Sequence, residues 1–138
     1  MMMDLRQVFL DEFAHLSKKI QNNELQGRIQ IFFRLADEDA ISQEELAKAL
    51  GVTVPILVSA MENFILYGVV EESDGRYAYR GYPPEFKDLV AMLPDRKKKL
   101  QEAVNNLIQA TDTAQEEGES VEKYRRVIED IKRDFGLQ

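Results

Sequence analysis

A chain of 138 residues, 44% hydrophobic and 31% charged, carries enough apolar material for one folded domain with accessory helices and too much for wholesale disorder. It has no cysteine and a single histidine, His15, which excludes disulfides, thiolate chemistry and a histidine metal cluster, and leads us to expect a reducing, cytoplasmic setting with no metal or other cofactor. The formal net charge of −7 opposes phosphate binding, so a nucleic-acid surface would have to be a local basic patch.

The opening Met1-Met2-Met3-Asp4-Leu5-Arg6 lacks a basic leader followed by an apolar run, and the longest strongly apolar stretch, Val52 to Met61, is too short and interrupted to cross a bilayer. No membrane association is expected. From Asp4 to Ile20, the residues Leu5, Val8, Phe9, Phe13, Leu16 and Ile20 recur in steps of three and four, which predicts an amphipathic helix within residues 1–22. His15 lies beside this stripe and reads as a boundary residue. Gln21-Asn22-Asn23 is a polar break, and a second helical run through Ile29, Ile31, Phe32, Phe33 and Leu35 ends at Asp37-Glu38-Asp39. That acidic turn lacks the alternating oxygen ligands and central glycine of a calcium loop, and reads as a solvated turn.

Ser42-Gln43-Glu44-Glu45 is a capping-box start, with Leu46, Ala49 and Leu50 expected to form the buried face of the helix that Gly51 closes. Thr53 then caps a third helix, whose first turn tolerates Pro55 and which buries Leu57, Met61 and Phe64 before stopping at Gly68. Val69-Val70-Glu71-Glu72 and Arg76-Tyr77-Ala78-Tyr79 flank Ser73-Asp74-Gly75, and an Asp-Gly pair between such runs predicts a β-hairpin. Tyr77 and Tyr79 fall on one strand face and, with Tyr82, are expected to pack under the hairpin. After Pro83-Pro84 helix returns through Phe86, Leu89, Val90 and Leu93, with Pro94 as a kink or restart. From Lys97, Leu100, Val104, Leu107, Ile108 and Ala114 approximate a heptad seam. Beyond a polar interruption over Thr111 to Glu119, Val121, Tyr124, Ile128, Ile131 and Phe135 continue in steps of three and four. The two C-terminal helices must pack on each other, on the N-terminal helix, or on a second subunit.

The spacing Gly51-Val52-Thr53, then Leu57, Met61 and Phe64, then Gly68-Val69-Val70, followed by a hairpin, resembles the winged helix of the MarR-like and TrmB-like prokaryotic transcriptional regulators. Gly75-Arg76, Tyr79-Arg80 and Pro83-Pro84-Glu85 resemble the TrmB-type passage from wing to dimerisation helix. The resemblance spans about Gly27 to Leu107. It implies a mostly α fold with a small β-hairpin, in which a winged helix-turn-helix core over 23–83 is flanked by helices at 1–22 and 84–138. It further implies a homodimeric, double-stranded-DNA-binding regulator, with Thr53, Ser59 and Asn63 on the recognition helix and Arg76 and Arg80 on the wing as the contacting residues.

The side chains themselves point elsewhere. No Lys or Arg occurs between Gly51 and Arg76, Glu62 has the wrong sign for DNA, and the helix expected to read DNA is apolar nearly all round. The competing expectation is a protein-interaction or assembly module. Its interface would use Val54, Ile56 and Val58 of the recognition helix and Leu100, Val104, Leu107, Ile128 and Ile131 of the C-terminal helices. Arg96-Lys97-Lys98-Lys99, the densest basic run, reads as the solvated face at a helix start. With no nucleophile elbow, phosphate-cradling glycine loop or paired histidine and carboxylate, no enzymatic mechanism is expected.

Overall fold

A computed structural model of the chain describes residues 3–138; of the helix expected over 1–22, residues 1 and 2 lie outside the described residues. The elements run α1 (Leu5–Gln21), α2 (Glu24–Leu35), β1 (Ile41–Ser42), α3 (Gln43–Leu50), α4 (Val54–Leu66), β2 (Val70–Ser73), β3 (Arg76–Tyr79), α5 (Phe86–Ala91), α6 (Pro94–Glu116) and α7 (Glu122–Phe135). The fold is mostly helical with one small antiparallel sheet of strand order β1-β3-β2. No single helix among the described residues is long and apolar enough to cross a membrane. The chain divides into two units: residues up to Leu35 together with Pro84–Gln138, and Ala36–Pro83. The residues of α2, grouped by sequence with 23–83, pack in the first unit.

In the first unit α1 packs on α2 and α6, and α7 packs on α2, α5 and α6. The Asp4 carboxylate accepts from the Gln7 amide at 3.2 Å and caps α1, while Leu5, Phe9, Phe13 and Leu16 are buried as the expected stripe. Burial of these apolar side chains, worth about 1.5–3 kcal/mol each when complete, is what holds the helices together. α1 and α2 meet at Gly27, where a Cβ would overlap the Phe13 carbonyl oxygen and lie 2.5 Å from its carbon. Only glycine permits that approach.

The polar interruption expected over Thr111 to Glu119 starts too early. α6 continues to Glu116 with Thr111 fully buried, because its hydroxyl donates to the Leu107 carbonyl at 2.7 Å and so needs no water. A charge the apolar pattern did not reveal is also inside: Arg34 of α2, with a side chain 3% exposed, pairs with Asp134 of α7 at 2.8 Å and lies over the Phe135 ring. Phe9 meets Tyr124 edge to face at 5.0 Å. Burial raises the Tyr124 phenol's pKa above its usual value, with Asp4 and Glu119 adding to the rise and Arg6 opposing it.

In the second unit Ser42 Oγ accepts from the Glu45 amide at 3.1 Å and starts α3. The buried face of α3 is Leu46 and Ala47, with Leu50 half-buried; Ala49, expected inside, is exposed. A helix of 8 residues has room for only one narrow apolar stripe, and Ala47, adjacent to Leu46, supplies its second member. The hairpin forms as expected around Asp74 (φ 53) and Gly75 (φ 74). Two successive positive φ values are what a two-residue turn matched to strand twist requires, and glycine adopts the second at no steric cost. Ser73 faces Arg76 across it, and Val70 faces Tyr79. The sequence pattern does not predict the third strand. Ile41 and Ser42 pair with Tyr77 and Arg76, a segment too short to show a period of two.

Candidate functional site

The Ala36–Pro83 unit holds the residues that the winged-helix resemblance singles out. The chain bends by 102° between α3 and α4. Gly51 ends α3 in the left-handed region, the Val52 amide returns to the Ala47 carbonyl at 3.0 Å, and Thr53 Oγ1 accepts from the Ile56 amide at 3.4 Å to start α4. The Thr53 oxygen thus serves as a cap. Leu57, Met61 and Phe64 anchor one side of α4 in the core, as the spacing predicted. Ser59 and Asn63 are exposed one turn apart on the opposite side, with Glu62 beside them.

The rest of the outer surface is apolar. Val54, Val58 and Ile65 follow one another along one flank, while Ile56 lies on the other beside Asn63. Val58 and Ile65 are each about 40% exposed, Ile56 is 53% exposed, and Leu66 and Tyr67 at the exit reach 75% and 65%; Val54 is half-buried. Solvent-facing apolar side chains grouped in this way mark a contact surface more often than scattered single ones do.

The hairpin arginines are already engaged within the unit. A guanidinium nitrogen of Arg76 donates to the Ala40 carbonyl at 3.1 Å, bracing the loop before β1. The Arg80 guanidinium pairs with the Glu71 carboxylate across the hairpin at 3.0 Å. Both groups are exposed, so solvent screens them and the pairing contributes little stability, but it cancels local positive potential. The Ala36–Pro83 segment contains nine carboxylates and three cations, Lys48, Arg76 and Arg80, and therefore carries −6 of the formal −7; the remaining residues hold sixteen carboxylates and fifteen cations. The concentration of charge in this unit is visible in the sequence once the unit's boundaries are known.

Tyr77 is buried beneath the hairpin and its hydroxyl accepts from Gln43 Nε2 at 3.2 Å, tying β3 to the start of α3. Burial raises its pKa, Glu72 adds to the rise, and the Gln43 hydrogen bond opposes it. Tyr79 and Tyr82 are half-buried, and His15 is exposed on α1. Asp37, Glu38 and Asp39 face solvent, and no group of three or more His, Asp or Glu side chains among the described residues is placed to hold a metal ion.

The residues read as an assembly seam behave differently from those of α4. Val104, Leu107, Ile128 and Ile131 are at most 3% exposed and Leu100 is half-buried, all within the first unit. Their demand for a partner is met by α1, α2, α6 and α7 themselves. Clefts among the described residues of this unit include the following two. One of about 550 Å³ is lined by Met3, Asp4, Leu5, Gly118, Glu119, Ser120 and Tyr124. The other, of about 310 Å³, is lined by Lys19 and Ile20 of α1 and by Met92, Leu93, Pro94, Asp95, Arg96 and Lys99 at the α5–α6 junction. Comparison with protein-family models, curated proteins and solved structures found no match to this chain.

Proposed function

We propose that the chain is a non-catalytic, winged-helix-like protein-docking module whose contact surface is the outer flank and exit of α4: Val58, Ile65, Leu66 and Tyr67 around Glu62. The observation that carries this reading is the coincidence of exposed apolar side chains with the most acidic part of the chain, a unit at −6 whose α4 has no cation. Such a surface repels a phosphate backbone and suits a protein face with an apolar centre and a basic rim. The order β1, α3, α4, β2, β3 and the 102° bend support the winged-helix part of the reading. The fold itself carries no function; the docking assignment rests on the side chains.

A test is to titrate the full chain, followed by backbone amide resonances, with a designed amphipathic helical peptide bearing leucines on one face and lysines on the other. A counterpart with glutamate for lysine serves as control. Shifts at Val58, Ile65, Leu66 and Tyr67 with the lysine peptide alone support the proposal. Equal responses to both peptides, or none at α4, overturn it.

A second reading, a DNA-binding regulator, is favoured by the exposure of Ser59 and Asn63 one turn apart on α4, where a recognition helix presents its reading residues. It requires Arg76 and Arg80 to leave Ala40 and Glu71 for phosphate. Titration with random-sequence duplex DNA that shifts Ser59, Asn63, Arg76 and Arg80 together would support it.

A further inference from the structure

We infer that the partner of the α4 surface is a second copy of this chain, bound through the cleft between the end of α1 and the α5–α6 junction. The inference rests on the docking reading of α4 and names its occupant. The cleft lining combines the apolar side chains Ile20, Met92 and Leu93 with the cations Lys19, Arg96 and Lys99, against the single carboxylate Asp95. Met92 is 76% exposed, and neighbouring Leu89 and Leu93 are exposed at 58% and 46%. Among the described residues these are the large solvent-facing apolar side chains of the first unit, and they lie next to its densest basic run.

The cations there are uncommitted. Lys18 pairs with Glu24, but among the described residues Lys19, Arg96, Lys97, Lys98 and Lys99 have no carboxylate within 4.0 Å. The α4 surface has the opposite chemistry. Leu66 and Tyr67 project at its exit, Glu62 lies one turn back, and the unit carries −6. A cleft of 310 Å³ has room for side chains the size of leucine and tyrosine.

Charge selects among the ways two copies can meet through these surfaces. Placing α4 against α4 brings −6 to −6, and placing cleft against cleft brings a cationic rim to itself. Only the cross pairing, α4 of one copy in the cleft of the other, matches apolar with apolar and negative with positive. Such a contact is heterologous, joining different surfaces of the two copies. It is distinct from a seam through Val104, Leu107, Ile128 and Ile131, which are interior.

A mixing experiment tests it by sedimentation velocity on the full chain at up to about 200 µM in low salt, where the charged part of the contact is least screened. One variant, Met92→Asp with Lys99→Glu, spoils the cleft and leaves α4 intact; the other, Leu66→Asp with Tyr67→Asp, spoils α4 and leaves the cleft intact. Three of the four positions are apolar side chains at least 65% exposed, and circular dichroism verifies that both variants fold. The expected result is a concentration-dependent association of the wild type that weakens at least about tenfold in each variant alone. An equimolar mixture of the two variants should recover a heterodimer, because each retains the surface the other lacks.

A monomeric mixture, or a monomeric wild type throughout the range, overturns the inference; the peptide titration then decides the docking reading separately. If the cleft variant associates like wild type while the α4 variant does not, the cleft assignment falls and α4 docking stands. If the α4 variant associates like wild type, the inference falls and the peptide titration decides the docking reading. Binding of a monomeric wild type to phosphatidylserine vesicles, lost in the cleft variant, overturns the inference in favour of an anionic membrane surface as the cleft's occupant.

Discussion

Replacing Gly27 with alanine should destabilise the first unit, against the usual sign for a glycine within a helix. At an unobstructed site the change contributes about 1 kcal/mol of stability, because alanine loses less backbone entropy on folding. At Gly27 the added carbon would overlap the Phe13 carbonyl oxygen and lie 2.5 Å from its carbon and 2.9 Å from Ser17 Cβ. Carbon atoms pack at about 3.5 Å or more, so α1 and α2 must separate by about 1 Å, a gap that forfeits roughly a quarter to a half of each dispersion contact it opens. The obstacle is backbone, and no rotamer change relieves it. Overpacking costs about 1–3 kcal/mol and falls at the upper end where the neighbour cannot move, leaving a net loss of about 2 kcal/mol after the propensity gain. For a unit of this size that corresponds to a fall in melting temperature on the order of 10 °C. Thermal unfolding followed by circular dichroism measures it, with Gly27→Ala compared against the parent chain. An unchanged or raised melting temperature would refute the close-approach argument.

The buried pair between α2 and α7 gives a second outcome: Asp134→Asn removes the carboxylate from a guanidinium only 3% exposed and should cost about 3–5 kcal/mol. In urea titrations, Arg34→Met combined with Asp134→Leu should regain most of that loss. Because Tyr77 and Tyr124 have pKa values raised above 10.0 in the folded chain, both ionise more readily when unfolded. Their contribution is therefore complete below about pH 10 and is lost as pH rises through the folded values; Tyr77→Phe with Tyr124→Phe should flatten that alkaline loss in pH-dependent melts. At the hairpin tip, Gly75→Val places a branched residue at φ 74 and should speed hydrogen exchange over 70–79 while leaving α1, α2 and α6 protected.

Helix positions, the capping serine and threonine and the Asp-Gly turn were legible because each depends on a few neighbouring residues. Leu57, Met61 and Phe64 could be placed inside from their spacing alone. Thr111, Arg34 and Gly27 could not, since each is explained by its surroundings: a carbonyl one turn back for the threonine, an aspartate 100 positions away for the arginine, and a crossing helix for the glycine. The two-residue strand β1 has no pattern of its own and exists through its pairing with β3. For the candidate surface, the absence of cations on α4 was readable directly. Its meaning depended on the division at Leu35 and Pro84, which assigns nearly all the net charge to the unit that carries α4. The engagement of Arg76 with Ala40 and of Arg80 with Glu71 was likewise invisible, because loop closure and cross-strand pairing decide it.

The measurement that bears most directly on the docking proposal is fluorescence anisotropy of a labelled random-sequence duplex titrated with the full chain over a salt series. With −6 on the α4 unit, Arg76 hydrogen-bonded to the Ala40 carbonyl and Arg80 paired with Glu71, no binding is expected even at about 20 mM salt, where phosphate attraction is strongest. Reversing Glu62 to lysine should not by itself create binding. Saturable binding by the wild type, weakening with log salt at a slope of about 0.9 per phosphate contacted and abolished by replacing Arg76 and Arg80 with alanine, would contradict the account and return α4 to the role of a DNA-reading helix.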